Sequence, residues 1–286
     1  HLCTPPQHRS DAHYGPYAPR SHPKRISGHL MNMKRALFSS PQLAVSVCSY
    51  PPGERHGRHA DAFSRVSFVV RGGYREENRA GAIAMRPGDV LVKSQRAFHE
   101  DEFGEAGATL VALEFLTLDP FDAPGATDLW RRRTDGFALR HANAFLSAAL
   151  EGDLEGASAA GVDLVSACLD DDTRRMTPPA WMKSLKLELE ERRLADISVS
   201  QRAHEAGAHP AHASRLFRQC YGQSITEYAQ AQSVRRALSS LAESPLALSE
   251  IALSAGFYDQ SHMSRVFRRV IGRTPRQQRA LLAAAC

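Results

Sequence analysis

No stretch of this chain comes near the roughly 20 consecutive apolar residues that a membrane-spanning helix needs, and its start lacks the basic, apolar and small-residue order of a signal peptide. Both absences point to a cytoplasmic protein with no membrane partner. Cysteine is scarce as well: Cys3, Cys48, Cys168, Cys220 and Cys286 are scattered, odd in number and without a C-x-x-C pair. That pattern argues against a zinc ribbon or a redox motif and for reduced, structural thiols. What remains is an ordinary globular composition, 43% hydrophobic over 286 residues. A single domain usually holds about 100 to 200 residues, so two domains are expected.

Charge is spread unevenly. Residues 181–286 carry 15 Lys/Arg against 9 Asp/Glu, residues 31–180 carry 17 against 21, and residues 1–30 carry 4 against 1. The basic excess of the last segment suits a polyanionic partner. Residues 1–30 are rich in His, Pro, Arg and Ser without apolar periodicity, which reads as a disordered segment. The first methionines are Met31 and Met33, so the biological start is expected there.

From Leu43 to Phe115 short apolar runs alternate with turns: LAVSVCSY, RVSFVVRGGY, AIAMRPGDVLVK and TLVALEF. Their β-branched content and the Pro51-Pro52-Gly53, Gly72-Gly73 and Pro87-Gly88-Asp89 breaks predict a small β-barrel or roll. Between about Thr127 and Asp172, Phe137, Leu139, Phe145, Leu146, Ala149 and Leu150 recur at helical spacing. Asp170 to Asp172, followed by Thr177-Pro178-Pro179, reads as a linker. The fold class is therefore α+β: a front domain over 31–176 with flanking helices, then an all-α domain over 181–286.

That last domain contains one pattern written twice, the mark of a duplicated unit. Ala203, Ala206, Gly207, Ser214-Arg215-Leu216-Phe217-Arg218, Gly222 and Ser224 return as Ala252, Ala255, Gly256, Ser264-Arg265-Val266-Phe267-Arg268, Gly272 and Thr274. Each copy reads as helix, tight turn, helix. Ser198-x-x-Gln201 has the form of a capping box, Gly207 supplies a positive φ, Pro210 opens the next helix, and Asp259 caps its counterpart. With Leu216, Phe217, Val266 and Phe267 turned inward, Ala211, Ser214, Arg215 and Arg218 lie outward in the first copy, and Gln260, Ser261, His262 and Arg265 in the second. Polar residues at the start of such a helix are what base edges in a major groove require, while Arg218, Arg268 and Arg269 are either phosphate contacts or plain solvated charges. Ser224 to about Leu241, opened by Ser224-x-x-Glu227 and free of Gly and Pro, predicts a joining helix about 25 Å long.

At these residues the chain resembles the AraC family of bacterial transcription regulators, over about Trp181 to Arg279. EIALSAGFYDQSHMSRVFRRVIGRTP, Glu250 to Pro275, is similar to that family's most specific signature, and HPAHASRLFRQCYGQSITEY to its first unit. The resemblance implies a sequence-specific regulator binding double-stranded DNA, with Ala211, Ser214 and Arg215, and Gln260, Ser261 and Arg265, facing the bases. The first unit departs from the pattern at Ala213, Ala229 and Ser233, so the second is expected to be the better packed reader.

In that family a β-rich front domain resembles a cupin-like sensor or dimerisation module, carried here by PPGERHGRH, RPGDV and AFHED. His56, His59, His99 and Asp101 fall where cupins place ligands, for a metal such as zinc, iron or nickel, or for a small polar effector. No resident cofactor is expected beyond these. Spacing complicates the transfer: His99 and Asp101 share a strand face, whereas His56 and His59, three apart, point oppositely unless a bulge intervenes. The resemblance further implies a homodimer, whose interface falls on the helices after residue 127 unless they pack on their own barrel, and contact with RNA polymerase. A metal-dependent cupin enzyme with a helical accessory domain is the competing reading.

Overall fold

The computed structural model describes residues 33–286 except 96, 118, 119, 121–128 and 175, with backbone only for 167–174. The first thirty residues and the Met31 start lie outside the described residues. Residues 31–286 form one compact unit. None of its described helices is long and apolar enough to cross a membrane.

Among the described residues, eight antiparallel strands make the front half: β1 Met33–Ser39, β2 Leu43–Tyr50, β3 Arg55–His59, β4 Ser64–Asn78, β5 Gly81–Met85, β6 Val90–Lys93, β7 His99–Phe115 and β8 Trp130–Arg133. They run in the order β1-β2-β7-β4-β6-β8, with β3 added to β7 and β5 to β4. The two long strands, β4 and β7, bend together where their register shifts near Gly72. A side chain on Gly72, at φ +67°, would collide with the carbonyl of Gly107, so the bend is built on residues without a Cβ.

Strand alternation splits the sheet's side chains between two cores. Val66, Phe68, Val90, Val92, Val111 and Leu113 face the helices. Val69, Leu91, Leu110, Tyr74, Met85 and Phe103 pack inside the curl. The roll follows the expectation from sequence, with two corrections. Trp130–Arg133, placed in a helical region from the sequence, is a strand paired to β6. The acidic run Asp170 to Asp172, read as linker, continues the helix Leu154–Arg174, and the break falls at Thr177 to Pro179.

Nine α-helices follow among the described residues: α1 Gly136–Glu151, α2 Leu154–Arg174, α3 Ala180–Glu191, α4 Val199–Glu205, α5 Pro210–Tyr221, α6 Ile225–Glu243, α7 Leu248–Ser254, α8 Gln260–Ile271 and α9 Pro275–Ala285. Leu139, Phe145, Leu146 and Ala149 of α1 are buried, but Phe137 is half-exposed and lies on the ring of His141. α1 packs against the sheet and against α6, α8 and α9. The helices thus share their apolar surface unequally. Met182, Leu185, Leu189, Leu216, Phe217 and Tyr228 close a separate core under the first repeat. Ile251, Met263, Val266, Phe267 and Leu282 of the second repeat belong to the same core as the sheet and α1.

Candidate nucleic-acid interface and front pocket

Both repeats fold as helix, turn, helix, by the local chemistry read from the sequence except that the Ser198–Gln201 capping box is only half formed, since the Gln201 side chain donates to Glu205 at 2.9 Å. Ser198 accepts from the N–H of Gln201 at 3.3 Å, Gly207 turns at φ +68°, and the Nδ1 of His209 accepts from Ala211 at the start of α5. In the second copy Gly256 turns at φ +91°, and Asp259 accepts from the N–H of His262 at 2.6 Å, capping α8. α5 and α8 end alike: Gly222 and Gly272, both left-handed, bond back to the carbonyls of Arg218 and Arg268. The repeat also reaches into the next helix. Ser224 with Glu227 opens α6, and Thr274 with Gln277 opens α9, each by a reciprocal capping box. At 19 residues α6 is about 28 Å long.

On α5, Ala211, Ser214, Arg215 and Arg218 are exposed, over a buried row of Ala213, Leu216, Phe217 and Cys220. On α8, Gln260, Ser261, Arg265 and Arg268 are exposed, over Met263, Val266, Phe267 and Val270. His262 is half-buried: its Nδ1 accepts from Tyr258 N–H at 3.2 Å, and its ring stands edge-on to Phe257. It therefore ties the turn to α8 and stays partly exposed. Arg218 stands 3.7 Å from Glu227, and Arg269 donates to Gln230 on α6. Among the described residues Arg215 and Arg265 have no ion-pair or hydrogen-bond partner. Two unpaired guanidiniums thus occupy matching places on the two helices.

The four candidate ligands of the front domain come together inside the curl. β3 pairs with β7 through His56↔Asp101 and His59↔His99, with a register shift between the two histidines. That bulge is the condition set by their three-residue spacing, and it brings both rings to one side, 5.7 Å apart. The Oδ2 of Asp101 lies 3.6 Å from His56 Nδ1, 3.7 Å from His59 Nε2 and 3.7 Å from His99 Nε2. The far nitrogens of the rings bond to Glu54, the Gly57 carbonyl and the Ala97 carbonyl. Each far nitrogen of a neutral ring then carries the hydrogen, and the near one presents a lone pair.

Three residues missed in the sequence complete the cluster. Lys93, on the inner face of β6 and 5% exposed, places its Nζ 2.8 Å from His99 Nε2, 2.9 Å from Asp61 and 3.2 Å from Glu76. Trp130 donates to the other oxygen of Glu76 at 2.5 Å. Burial alone would raise the Asp61 carboxyl, but Arg65 and Lys93 outweigh it and hold it well below the usual range. Burial, and then the Lys93 charge, depress the His99 imidazole. Asp61, Glu76, Lys93 and Asp101 line a cavity of about 270 Å³ with Tyr50, Tyr74 and Phe103, rings that stack on one another. Three overlapping donor sets have metal-like spacing: His56-His59-Asp101, His59-Asp61-His99 and Glu76-His99-Asp101. With the ammonium hydrogen-bonded to Glu76 and His99 and paired with Asp61, a dication does not fit the two sets that contain His99. Only the alternation of β6, with Val90 and Val92 outward and Leu91 inward, could have placed Lys93 in the cavity from sequence.

A family model described as a helix-turn-helix domain matches residues 202–280. The chain is 37% identical over 73 residues to the HTH-type transcriptional regulator GlxA of Rhizobium meliloti (strain 1021), covering 26% of this chain and 22% of that protein. It is 29% identical over 89 residues to the probable transcription factor PqrA of Proteus vulgaris, covering 31% of this chain and 73% of that one. It thus spans about a fifth of one curated relative and about three quarters of the other. Among solved structures, the C-terminal domain of AraT, a response regulator from Geobacillus stearothermophilus, is 21% identical with a TM-score of 0.34, over 37% of this chain and 88% of that one. The matched residues contain both repeats and the helix that joins them, and residues 202–280 of this chain are a helix-turn-helix domain of the AraC type.

Proposed function

We propose that this protein is a sequence-specific regulator of transcription that reads double-stranded DNA with α5 and α8 and senses a small effector through its front domain. One observation carries the reading: two capped helices of one duplicated unit present exposed polar residues and an unpaired arginine each, Arg215 and Arg265, at corresponding places. The N-terminal turn of a recognition helix meets base edges, and a helix about 28 Å long suits two readers in successive groove segments about 34 Å apart. Ala211, Ser214 and Arg215, with Gln260, Ser261 and Arg265, are the base-facing residues in this reading. Arg218 and Arg268 serve the phosphates, and His262 contributes its exposed part.

The cavity lined by His56, His59 and Asp101, with His99 packed beside it, is the effector site in the same reading. Its size and its mixture of aromatic walls with a few polar groups suit a small polar molecule. A homodimer and a contact with RNA polymerase complete the proposal; α2 leaves Leu154 and Val162 exposed, which suits a second copy. Selection of the full chain on randomised duplex DNA tests the function. Recovery of one preferred site, bound at least a hundredfold more tightly than bulk DNA, is expected. Uniform recovery without a preferred sequence would overturn it.

A further inference from the structure

We propose that the ammonium of Lys93 is the resident cation of the front cavity, standing where a roll of this kind would hold a metal ion, so that the site works without metal. Asp61, Glu76, His99 and Asp101 converge in a space from which water is largely excluded: Lys93, Glu76 and His99 are 5%, 1% and 1% exposed. Carboxylates packed this closely need a compensating positive charge. Lys93 supplies it by hydrogen bonds to Glu76 at 3.2 Å and His99 at 2.8 Å and by an ion pair with Asp61 at 2.9 Å. His99 is held for that role, because its Nδ1 bonds to the Ala97 carbonyl at 2.7 Å and its Nε2 is left to accept from the lysine.

The remaining set, His56, His59 and Asp101, is poorer. Its two imidazoles are 29% and 36% exposed, whereas His99 is 1% exposed. A dication placed on it would also stand close to the lysine charge, with only His99 and Asp101 between. Asp101 is the member that still seeks a partner: its side chain is 9% exposed, and Oδ1 is buried without a hydrogen bond. That carboxylate is left for a ligand bringing N–H or O–H donors. The role of Asp101 rests on the effector reading above, whereas that of Lys93 does not.

The test uses cobalt(II) as probe on the full chain, followed by its visible absorption and by thermal melting. The wild type is expected to take up no cobalt with the spectrum of a histidine-carboxylate site at micromolar concentration. Lys93→Met is expected to gain one equivalent, at least tenfold more tightly than any wild-type uptake, and to be raised in Tm by cobalt while the wild type is not. The double variant Lys93→Met/His99→Ala loses the gain, which separates the cavity from the histidines of residues 1–30, His1, His8, His13, His22 and His29. Lys93→Gln, which keeps a donor, serves if the methionine variant does not fold. Stoichiometric, chelator-sensitive binding by the wild type that disappears in His99→Ala overturns the proposal. So does a folded Lys93 variant that gains nothing. A separate measurement of DNA affinity with and without chelator is expected to show no change, and loss of specific DNA binding altogether would count against the regulator reading, not against the lysine.

Discussion

The Nε of Arg235 lies 2.5 Å from Oδ1 of Asp89, with the two side chains 6% and 0% exposed. Arg235 belongs to α6, the helix between the two readers, and Asp89 to the turn that leads into β6, four residues before Lys93. Arg132 of β8 approaches the other oxygen of Asp89 at 3.6 Å and donates to Glu190 of α3 at 2.5 Å. One buried cluster therefore touches the sheet, α3 and α6. Burial raises the Asp89 carboxyl above its ordinary value in spite of the two arginines. Gly88, at φ +87°, allows this approach, since a Cβ there would fall 2.9 Å from Arg235 Cγ.

Asp89→Ala strands a buried guanidinium and is expected to lower stability by about 3 to 5 kcal/mol, read from urea denaturation. Replacing Arg235 by Met in the same chain should recover a good part of that loss. Equal losses in the single and double variants would show that the charge pair is not what the site depends on.

Glu190 gives the joint a pH dependence. Burial alone would raise its carboxyl, but Lys186 and Arg132 outweigh burial and lower it from 4.5 to about 2. A depressed acid contributes stability above its unfolded value and loses it as pH falls through the folded one. Glu190→Gln should therefore cost up to about 3 kcal/mol at pH 7, and the gap from wild type should close between about pH 4.5 and 2. A gap that is constant across acid denaturation curves would rule out the titration.

Reader contacts separate by salt and by sequence. Arg265→Ala is expected to abolish site-specific binding, and Arg215→Ala to weaken it less, each against a gain of about 1 to 3 kcal/mol for a bidentate guanine contact. With about six phosphate contacts, log affinity should fall against log salt with a slope near −5. Gel shifts on the selected site measure both, and the reverse order of the two arginines would reverse the ranking of the readers.

The two turn glycines should respond differently to the same change. Gly207 has open space where a Cβ would stand, so Gly207→Ala costs only the left-handed backbone, about 1 kcal/mol. At Gly256 a Cβ would also press on Arg193 Cγ at 2.8 Å, and Gly256→Ala should cost about 1 kcal/mol more. Thermal melts of the two variants provide the comparison.

The helical half was legible because its signals are local. Ser224, Glu227, Gly207 and Asp259 each act within four residues of themselves, and the repeat doubled every signal. The front half was legible where strands alternate on their own, as in Leu43 to Tyr50. It failed where a partner decides: Trp130 to Arg133 falls inside the stretch read as helical from about Thr127 and is drawn into the sheet by β6. The same holds for the cavity. His56, His59, His99 and Asp101 could be named from short motifs, but Lys93, Asp61 and Glu76 join them only through the pairing of β4 with β6 and β7.

The second repeat shares its core with α1 and the sheet, while the first closes on its own ten buried residues. A fragment cut near residue 180 would carry α6, α8 and α9 away with the apolar faces that α1 and β4 now cover. Such a piece would be sticky, and joining this helical half to another front domain would leave those faces without their cover. The sheet and the helices bury one continuous core, so neither a cut before Gly136 nor one at Pro179 leaves both sides covered.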